Sequence, residues 1–147
     1  MNWKQEATDK LKQYAARQAS VTRLKEQIAT LRQDVTAIKA ARSDGMAVQG
    51  TGAVRRDERL VNALAGIEEM KQALLITTRW LRVMDSALSE LSDEERLVLD
   101  RFYIHPMKDG RERLRDELCL QEMSSVYRRK DSALHKFTLH LYGITES

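Results

Sequence analysis

The chain contains very little cysteine, proline, glycine or aromatic residue. Its 147 residues include one cysteine, one proline and six glycines, and only 5% are aromatic. The single cysteine, Cys119, excludes an internal disulfide framework and a zinc site built from several cysteines. So few residues that form turns and sheets argue against a sandwich or a barrel. We therefore expect an all-α protein.

The sequence also lacks long apolar runs and targeting features. No apolar run approaches the roughly 18 residues that a membrane span needs. The first ten residues, MNWKQEATDK, resemble neither a signal peptide nor a transit peptide. We therefore expect a cytoplasmic protein without a membrane partner.

Signatures of enzymes and cofactor sites are missing as well. The segment GTGAVRR has neither the lysine nor the spacing of a phosphate-binding loop. No Ser/His/Asp or Cys/His set has a supporting context. His135 and His140 are five residues apart, whereas two ligands on one helical face are four apart. We therefore predict no catalytic residue, no metal site and no cofactor.

Two long helices are predicted in the first 91 residues. No glycine or proline interrupts the chain from about Trp3 to Arg42, and a second helix is expected from about Arg55 to Ser89. In both helices, apolar residues recur at steps of three, four or seven, which is typical of a coiled-coil seam. The seam positions are Tyr14, Val21, Leu24, Ile28, Leu31, Val35 and Ile38 in the first helix, and Leu60, Ile67, Leu74, Leu81 and Leu88 in the second.

Residues 43–53, with three glycines, read as a loop between these helices. The helices can fold back as an antiparallel hairpin or pair with a second subunit, and the pattern does not choose between the two. Lys71 and Asp85 interrupt the second stripe, and polar residues in a seam can fix register and oligomeric state. We interpret residues 1–91 as a coiled-coil helical hairpin that serves as an oligomerisation arm, and we expect a homodimer.

The last third of the chain, residues 92–147, reads as a small helical domain. Ser92 and Glu95 have the spacing of a capping box, and the helix that follows is expected to end near Tyr103. A loop, a short helix over 110–118 and a turn precede a final helix over 124–141, for which Ser124 is the expected N-cap. A helix, a tight turn and a second helix that begins with polar and basic residues form the layout of a helix-turn-helix DNA reader.

Charge in the final helix supports this interpretation. Residues 124–143 contain four basic residues against one acidic residue, within a domain that has ten against eleven. A basic patch on one helix attracts DNA phosphates, although a solvated helix face is the plain alternative. The residues expected outside its apolar stripe, and therefore facing DNA, are Ser124, Ser125, Tyr127, Arg128, Asp131 and His135.

Several stretches of the chain resemble a known family. LSDEERLVLDRFY followed by a helix-turn-helix that ends in KDSALHKF resembles region 4 of bacterial sigma factors, which reads the promoter −35 element. DGMAVQGTG, LSDEERLVLDRFYI and SSVYRRKDSALHKFTLHLYG together resemble the sigma-like regulators of prophages, the ArpU/RinA-type late-gene activators and related phage proteins. The resemblance covers about residues 43–143 and is most specific in SSVYRRKD and ALHKFTLHLYG.

The resemblance implies a DNA-binding transcription regulator of phage or mobile-element promoters that acts with RNA polymerase. The turn over 118–126 is one residue longer than the common sigma-like spacing, and no segment resembles sigma region 2. The chain is therefore not expected to replace a complete sigma factor. The matched reading-helix positions are Ser124, Ser125, Tyr127, Arg128, Arg129 and Lys130.

Each candidate residue has a structural alternative. Arg128 and Arg129 would contact guanine edges or phosphates, or they would pair with Asp131 or Glu122 at the surface. Tyr127 would lie on a phosphate or a thymine methyl, or it would pack against helix 110–118. Cys119 is expected to be a small buried filler at the turn. Phosphate contacts are predicted on the preceding loop and helix for Lys108, Arg111 and Arg113.

Three functions remain at this point. The first is a sequence-specific regulator that binds double-stranded DNA, dimerises through its coiled-coil arm and contacts RNA polymerase. The second is a phage DNA-packaging recognition subunit, similar to a small terminase, or a coiled-coil assembly protein. The third is a pure interaction protein whose sigma-like domain binds polymerase and never DNA.

Overall fold

The fold consists of helices alone. The computed structural model describes residues 1–43 and 51–146, and the predicted loop around Gly45 lies outside this part of the chain. Within the described residues there are five α-helices, one short π-helical segment and no strand, which confirms the all-α class. The helices are α1 Trp3–Ser43, α2 Thr51–Ser89, α3 Asp93–Leu99, α4 Gly110–Glu117 and α5 Met123–Tyr142, with the π-helical segment Asp100–Ile104 after α3.

Helix α1 follows from the absence of glycine and proline over some forty residues. The side chain of Asn2 accepts a hydrogen bond from the backbone N–H of Gln5 at 3.1 Å and so caps the start of α1. Thr8, Thr30 and Thr36 bond their hydroxyls back to the carbonyl four residues earlier. These threonines therefore satisfy their hydroxyls without interrupting the helix.

The chain divides into two compact units. One contains Met1–Gln18 together with Arg79–Ser147, and we call it the head unit; the other contains Ala19–Thr78, and we call it the helix-pair unit. Sequence analysis set a boundary at residue 91 instead. The difference arises because the first turns of α1 and the last turns of α2 share a core with the C-terminal helices.

The helix-pair unit has a small core along the predicted seam. Its buried cluster consists of Ile28, Val35, Ala63 and Ile67, and Leu60, Leu31, Met70 and Leu74 pack against it. Gly66 belongs to this contact, since a Cβ atom there would lie 3.3 Å from Cδ1 of Leu31. Leu64, one turn after Leu60, lies outside this core and is 45% exposed.

The head unit contains two buried clusters. The first joins α1, α2 and α5 with the segment after α2, the end of α3 and the end of the π-helical segment. The second lies between α3, the π-helical segment, α4 and α5. The first cluster is Ala7, Leu11, Met84, Ala87, Leu88, Leu91, Leu99, Ile104, Ala133, Leu134 and Phe137. The second cluster is Val98, Phe102, Leu114 and Val126.

Local signals fix the C-terminal helices. Ser92 and Glu95 form the predicted capping box, in which the Ser92 hydroxyl accepts from the Glu95 N–H and the Glu95 carboxylate accepts from the Ser92 N–H. Gly143 ends α5 at a φ of 74°, a left-handed conformation that glycine adopts without strain. The predicted cap of α5 was wrong by two residues: α5 begins at Met123, and Glu122 holds the N-cap position without a side-chain cap bond.

The turn between α4 and α5 contains Cys119. Its φ of 54° makes it the one non-glycine residue with a positive φ in the described chain. Cys119 is exposed, so the prediction of a small buried filler was wrong. The reason is that its backbone supplies the turn, with its N–H donating to the Asp116 carbonyl at 3.1 Å, while Leu118 and Leu120 pack against the second cluster.

Candidate nucleic-acid interface

One face of α5 is free of the head-unit core. Val126, Ala133 and Phe137 have no exposed surface and anchor the opposite face. The burial of α5 follows the 3.6-residue period, so the exposed positions form a continuous stripe. That exposed stripe contains Ser124, Tyr127, Arg128, Asp131 and His135.

Two aromatic rings and two cations meet where α4 and α5 adjoin. The Phe102 and Tyr127 rings pack edge to face, with centroids 5.9 Å apart. The Arg111 guanidinium lies 5.1 Å from the Phe102 centroid, and Lys130 Nζ lies 5.7 Å from the same ring. Both cations also lie within cation–π range of Tyr127, at 5.9 and 5.8 Å. We call Phe102, Tyr127, Arg111 and Lys130 the aromatic–cation cluster.

Hydrogen bonds and charge complete this cluster. The Arg111 Nη1 donates to the Tyr127 hydroxyl at 3.4 Å. Lys130 forms an ion pair with Asp131 at 2.9 Å, and its side chain is only 22% exposed. Tyr127 is 38% exposed. The cluster therefore holds Tyr127 in one orientation and leaves its phenol and the Arg111 guanidinium at the surface.

Arg128 differs from its neighbours in its environment. Among the described residues it forms no ion pair and no side-chain hydrogen bond, and its side chain is exposed. Neither Asp131 nor Glu122 pairs with it, although both were alternatives in the sequence. Arg128 is thus a cation that lies next to Tyr127 on the exposed stripe and has no carboxylate to neutralise it.

Arg129 is engaged elsewhere. Its guanidinium donates to the carboxylate of Glu94 in the first turn of α3, 35 residues earlier. Two turns further along α5, Lys136 Nζ lies 3.1 Å from Glu95 Oε1. The two pairs bind the middle of α5 to the start of α3. Arg129 is therefore exposed but held in an ion pair with Glu94, an outcome that sequence analysis did not weigh.

The environment of Glu95 shifts its titration. Burial raises the pKa of the Glu95 carboxyl, but hydrogen bonds from Ser92 and from the Lys136 ammonium outweigh that effect. The pKa of Glu95 therefore lies below its usual range. The charged form is the one that caps α3 and contacts α5.

The cations before α5 are divided between free and paired. Arg113 Nε lies 2.9 Å from an Asp109 carboxylate oxygen, a pairing four residues apart on the surface. Lys108 is exposed and has no ion-pair partner among the described residues. Arg111 contacts the aromatic rings but no carboxylate in that same part of the chain. Lys108 and Arg111 are thus the cations on this side that are available to a phosphate.

The two serines at the start of α5 have different surroundings. The Ser124 hydroxyl donates to the Glu122 carboxylate at 3.1 Å and is exposed. Ser125 is half-buried, and its backbone N–H donates to the Glu122 carbonyl at 3.2 Å. Ser124 therefore lies at the surface beside a carboxylate, and Ser125 lies at the edge of the core.

The structure brings together only part of the predicted set. Tyr127, Lys130 and Arg111 converge in the aromatic–cation cluster, and Arg128 lies beside them. Sequence analysis missed Phe102 as the ring on which this cluster is built, because its apolar spacing marked it only as a core residue. Sequence analysis also did not predict the ion pairs that Glu94 and Glu95 form with α5, since pairs this far apart in sequence leave no periodic signal.

Metal-binding groups and membrane-spanning helices were sought among the described residues. Their His, Cys, Asp and Glu side chains make no group of three or more that could hold a metal ion. No helix in the described ranges is both long and apolar enough to cross a membrane.

Comparison with known proteins yields no relative. Protein-family models, curated proteins and solved structures were all compared with the chain, and none of them matches it.

Proposed function

We propose that the chain is a sequence-specific, double-stranded-DNA-binding transcription regulator of phage or mobile-element origin. The observation that carries this proposal is the exposed Arg128 beside the aromatic–cation cluster, at the start of a helix whose opposite face is buried. In this proposal α4, the turn and α5 act as a helix-turn-helix, and the first two turns of α5 enter the major groove.

Base reading is attributed to Arg128, with Tyr127 next to it. An arginine that reaches both guanine acceptors in the major groove discriminates by about 1–3 kcal/mol. Arg128 has no carboxylate among the described residues to compete with that contact. The Tyr127 ring is held by Phe102, so it offers a fixed surface to a thymine methyl or a phosphate at little entropic cost.

Phosphate contacts are attributed to Lys108 and Arg111. Both precede α5, where the first helix of such a motif crosses the DNA backbone. Contacts to phosphate position a protein on DNA and do not by themselves specify sequence. The exposed Ser124 would add a neutral hydrogen bond to a phosphate once Glu122 turns away.

The long helices serve as a coiled-coil hairpin and dimerisation arm in this proposal. Two copies would then present two reading helices to half-sites spaced by whole turns of DNA. The resemblance to sigma-like prophage regulators adds RNA polymerase as the second partner. The cytoplasm is the compartment in which such a regulator would act.

Titration of the full chain against DNA tests the proposal. Fluorescence anisotropy with fragments from upstream of its own and neighbouring genes, at several salt concentrations, should reveal one fragment bound at least about 1,000-fold tighter than random DNA. Equal binding of all fragments with a steep salt dependence would favour a packaging role instead. No binding at all would favour a domain that contacts only polymerase.

A matched pair of variants sharpens this test. Arg128→Ala should weaken binding to the specific fragment by about 10- to 100-fold while changing binding to random DNA much less. Arg59→Ala removes the same charge from an exposed position on α2 and should leave both affinities unchanged. Equal losses in the two variants would show that Arg128 contributes charge alone.

A further inference from the structure

Helix α2 has a second apolar face that nothing in the helix-pair unit covers. Val61 is 63% exposed and Ile76 is 62% exposed, and three more large aliphatic side chains of this unit are exposed as well. At about 100° per residue, these side chains share a stripe roughly 120° wide, on a different side of α2 from the stripe that packs on α1. We call it the outer face of α2; its large aliphatic residues are Val54, Val61, Leu64, Leu75 and Ile76.

Only one of the two helices in this unit has such a face. The described residues 19–41 of α1 expose alanine, threonine, glutamine and charged side chains, and no large aliphatic residue. A soluble helix usually keeps apolar side chains to one stripe, and a contiguous exposed apolar patch marks an interaction surface. On the outer face of α2, the exposed Glu68 and Gln72 lie between Leu64 and Leu75, so this face has the mixed apolar and polar composition of an interface.

We propose that the outer face of α2 binds the same face of a second copy of this chain, in antiparallel orientation. A two-fold axis midway between residues 69 and 70 brings Leu64 of one copy opposite Leu75 of the other. Each contact occurs twice, as in any two-fold interface.

Charge agrees with the same register. Within one copy, Lys71 Nζ lies 3.5 Å from Glu68, and both side chains are largely exposed. The axis midway between residues 69 and 70 also brings Glu68 of one copy opposite Lys71 of the other, so no like charges face each other at this level. A parallel arrangement in register would set Glu68 against Glu68 instead, which is unfavourable.

The small core of the helix-pair unit supplies a further reason. Its one buried cluster has four members, one of which is alanine. Most helical stability in proteins comes from packing of an apolar face, and a two-helix unit has little of it. Two copies joined through α2 form a four-helix arrangement with an additional core. This inference does not rest on DNA binding.

Oligomeric state tests the proposal directly. Light scattering after size-exclusion chromatography should give twice the chain mass for the full-length protein. Leu64→Glu combined with Ile76→Glu buries four carboxylates at the interface and should raise the dimer dissociation constant about 100-fold or more. Because both side chains are exposed within one copy, circular dichroism should show the helical content retained.

The control variant carries the same charge on the other helix. Ala29→Glu combined with Ala37→Glu alters the exposed face of α1 and should leave the dimer intact. A monomeric wild-type chain overturns the proposal. So does a dimer that survives the substitutions on α2, or one that the substitutions on α1 disrupt equally.

Cysteine cross-linking tests the orientation. In a Cys119→Ser background, an oxidised mixture of Leu64→Cys and Leu75→Cys chains should give a disulfide-linked pair. Leu64→Cys chains alone should not cross-link, because Leu64 faces Leu75 of the second copy. A cross-link in the Leu64→Cys sample alone overturns the antiparallel register.

Discussion

The phenol of Tyr14 on α1 donates a hydrogen bond to the carboxylate of Asp85 on α2, 71 residues further along the chain. Asp85 breaks the apolar stripe of α2, and the sequence suggested that such a residue fixes register. The hydrogen bond from Tyr14 gives Asp85 a physical means of fixing the register, because α1 and α2 must align within the head unit for the bond to form. Burial and the Asp85 charge raise the pKa of Tyr14 to about 12.

The first prediction concerns this bond at alkaline pH. Because the folded pKa of Tyr14 lies above the ordinary value of 10.0, its contribution to stability is complete below pH 10 and is lost as the pH rises towards 12. Tyr14→Phe should lower the free energy of unfolding by about 1 kcal/mol near neutral pH. Urea unfolding at several pH values measures both effects.

Asp85→Asn provides the control for the Tyr14 prediction. It keeps an acceptor for the phenol and removes the negative charge, so most of the stability should remain while the alkaline loss becomes smaller. The prediction fails if Tyr14→Phe leaves both the stability and its decline above pH 10 unchanged.

The second prediction concerns acid. The pKa of Glu95 is below the ordinary value of 4.5, so the capping box and the Lys136 contact stabilise the fold above that pH and lose this effect as the pH falls below it. Glu95→Gln should therefore reduce the decline of stability in acid. Glu90→Gln removes an exposed carboxylate outside this network and should leave the decline of stability in acid unchanged. Thermal unfolding between neutral pH and pH 3 distinguishes the two variants.

The third prediction concerns the turn at Cys119. A left-handed conformation costs a non-glycine residue about 1 kcal/mol, and more when its side chain is β-branched. Cys119→Gly should leave stability unchanged or raise it by up to about 1 kcal/mol, whereas Cys119→Val should lower it by about 1–2 kcal/mol. Chemical unfolding of the two variants checks the order. A less stable glycine variant would mean that the thiol makes a contact of its own.

The fourth prediction rests on the proposed DNA binding. Since Glu94 holds Arg129, the variant Arg129→Ala should reduce affinity for the specific DNA less than Arg128→Ala does. Glu94→Gln weakens this ion pair and frees Arg129 to contact a phosphate. The affinity for any DNA should therefore rise several-fold at low salt, and its salt dependence should become steeper. Anisotropy titrations at two or more salt concentrations test this. Similar losses for both arginine variants would show that Arg129 leaves Glu94 when DNA binds.

Sequence periodicity accounts for most of the fold. The absence of breakers and the heptad spacing predicted α1 and α2 to within a few residues, and the capping box at Ser92 was correct because capping depends on neighbours. The boundary between the units was not predictable in this way. It depends on which helix ends share a core, and contacts such as that of Leu11 with the C-terminal helices join residues far apart in sequence.

The candidate site was predicted in composition more than in geometry. The exposed stripe of α5 follows from its apolar period, so Tyr127 and Arg128 were identified correctly as surface residues. The pairing of Arg129 with Glu94 could not be read from spacing, because it joins two helices. Cys119 was misjudged since cysteine is seldom found at positive φ, and its usual burial dominated the interpretation.

Backbone continuity through residues 98–104 has a consequence for cooperativity. Val98 and Phe102 belong to the second head-unit cluster, whereas Leu99 and Ile104 belong to the first. A single stretch of helix thus contributes side chains to both clusters, and neither can melt without releasing the other. We expect hydrogen exchange to show the slowest amides of α3 and α5 opening together, in one global step, rather than as two separate foldons.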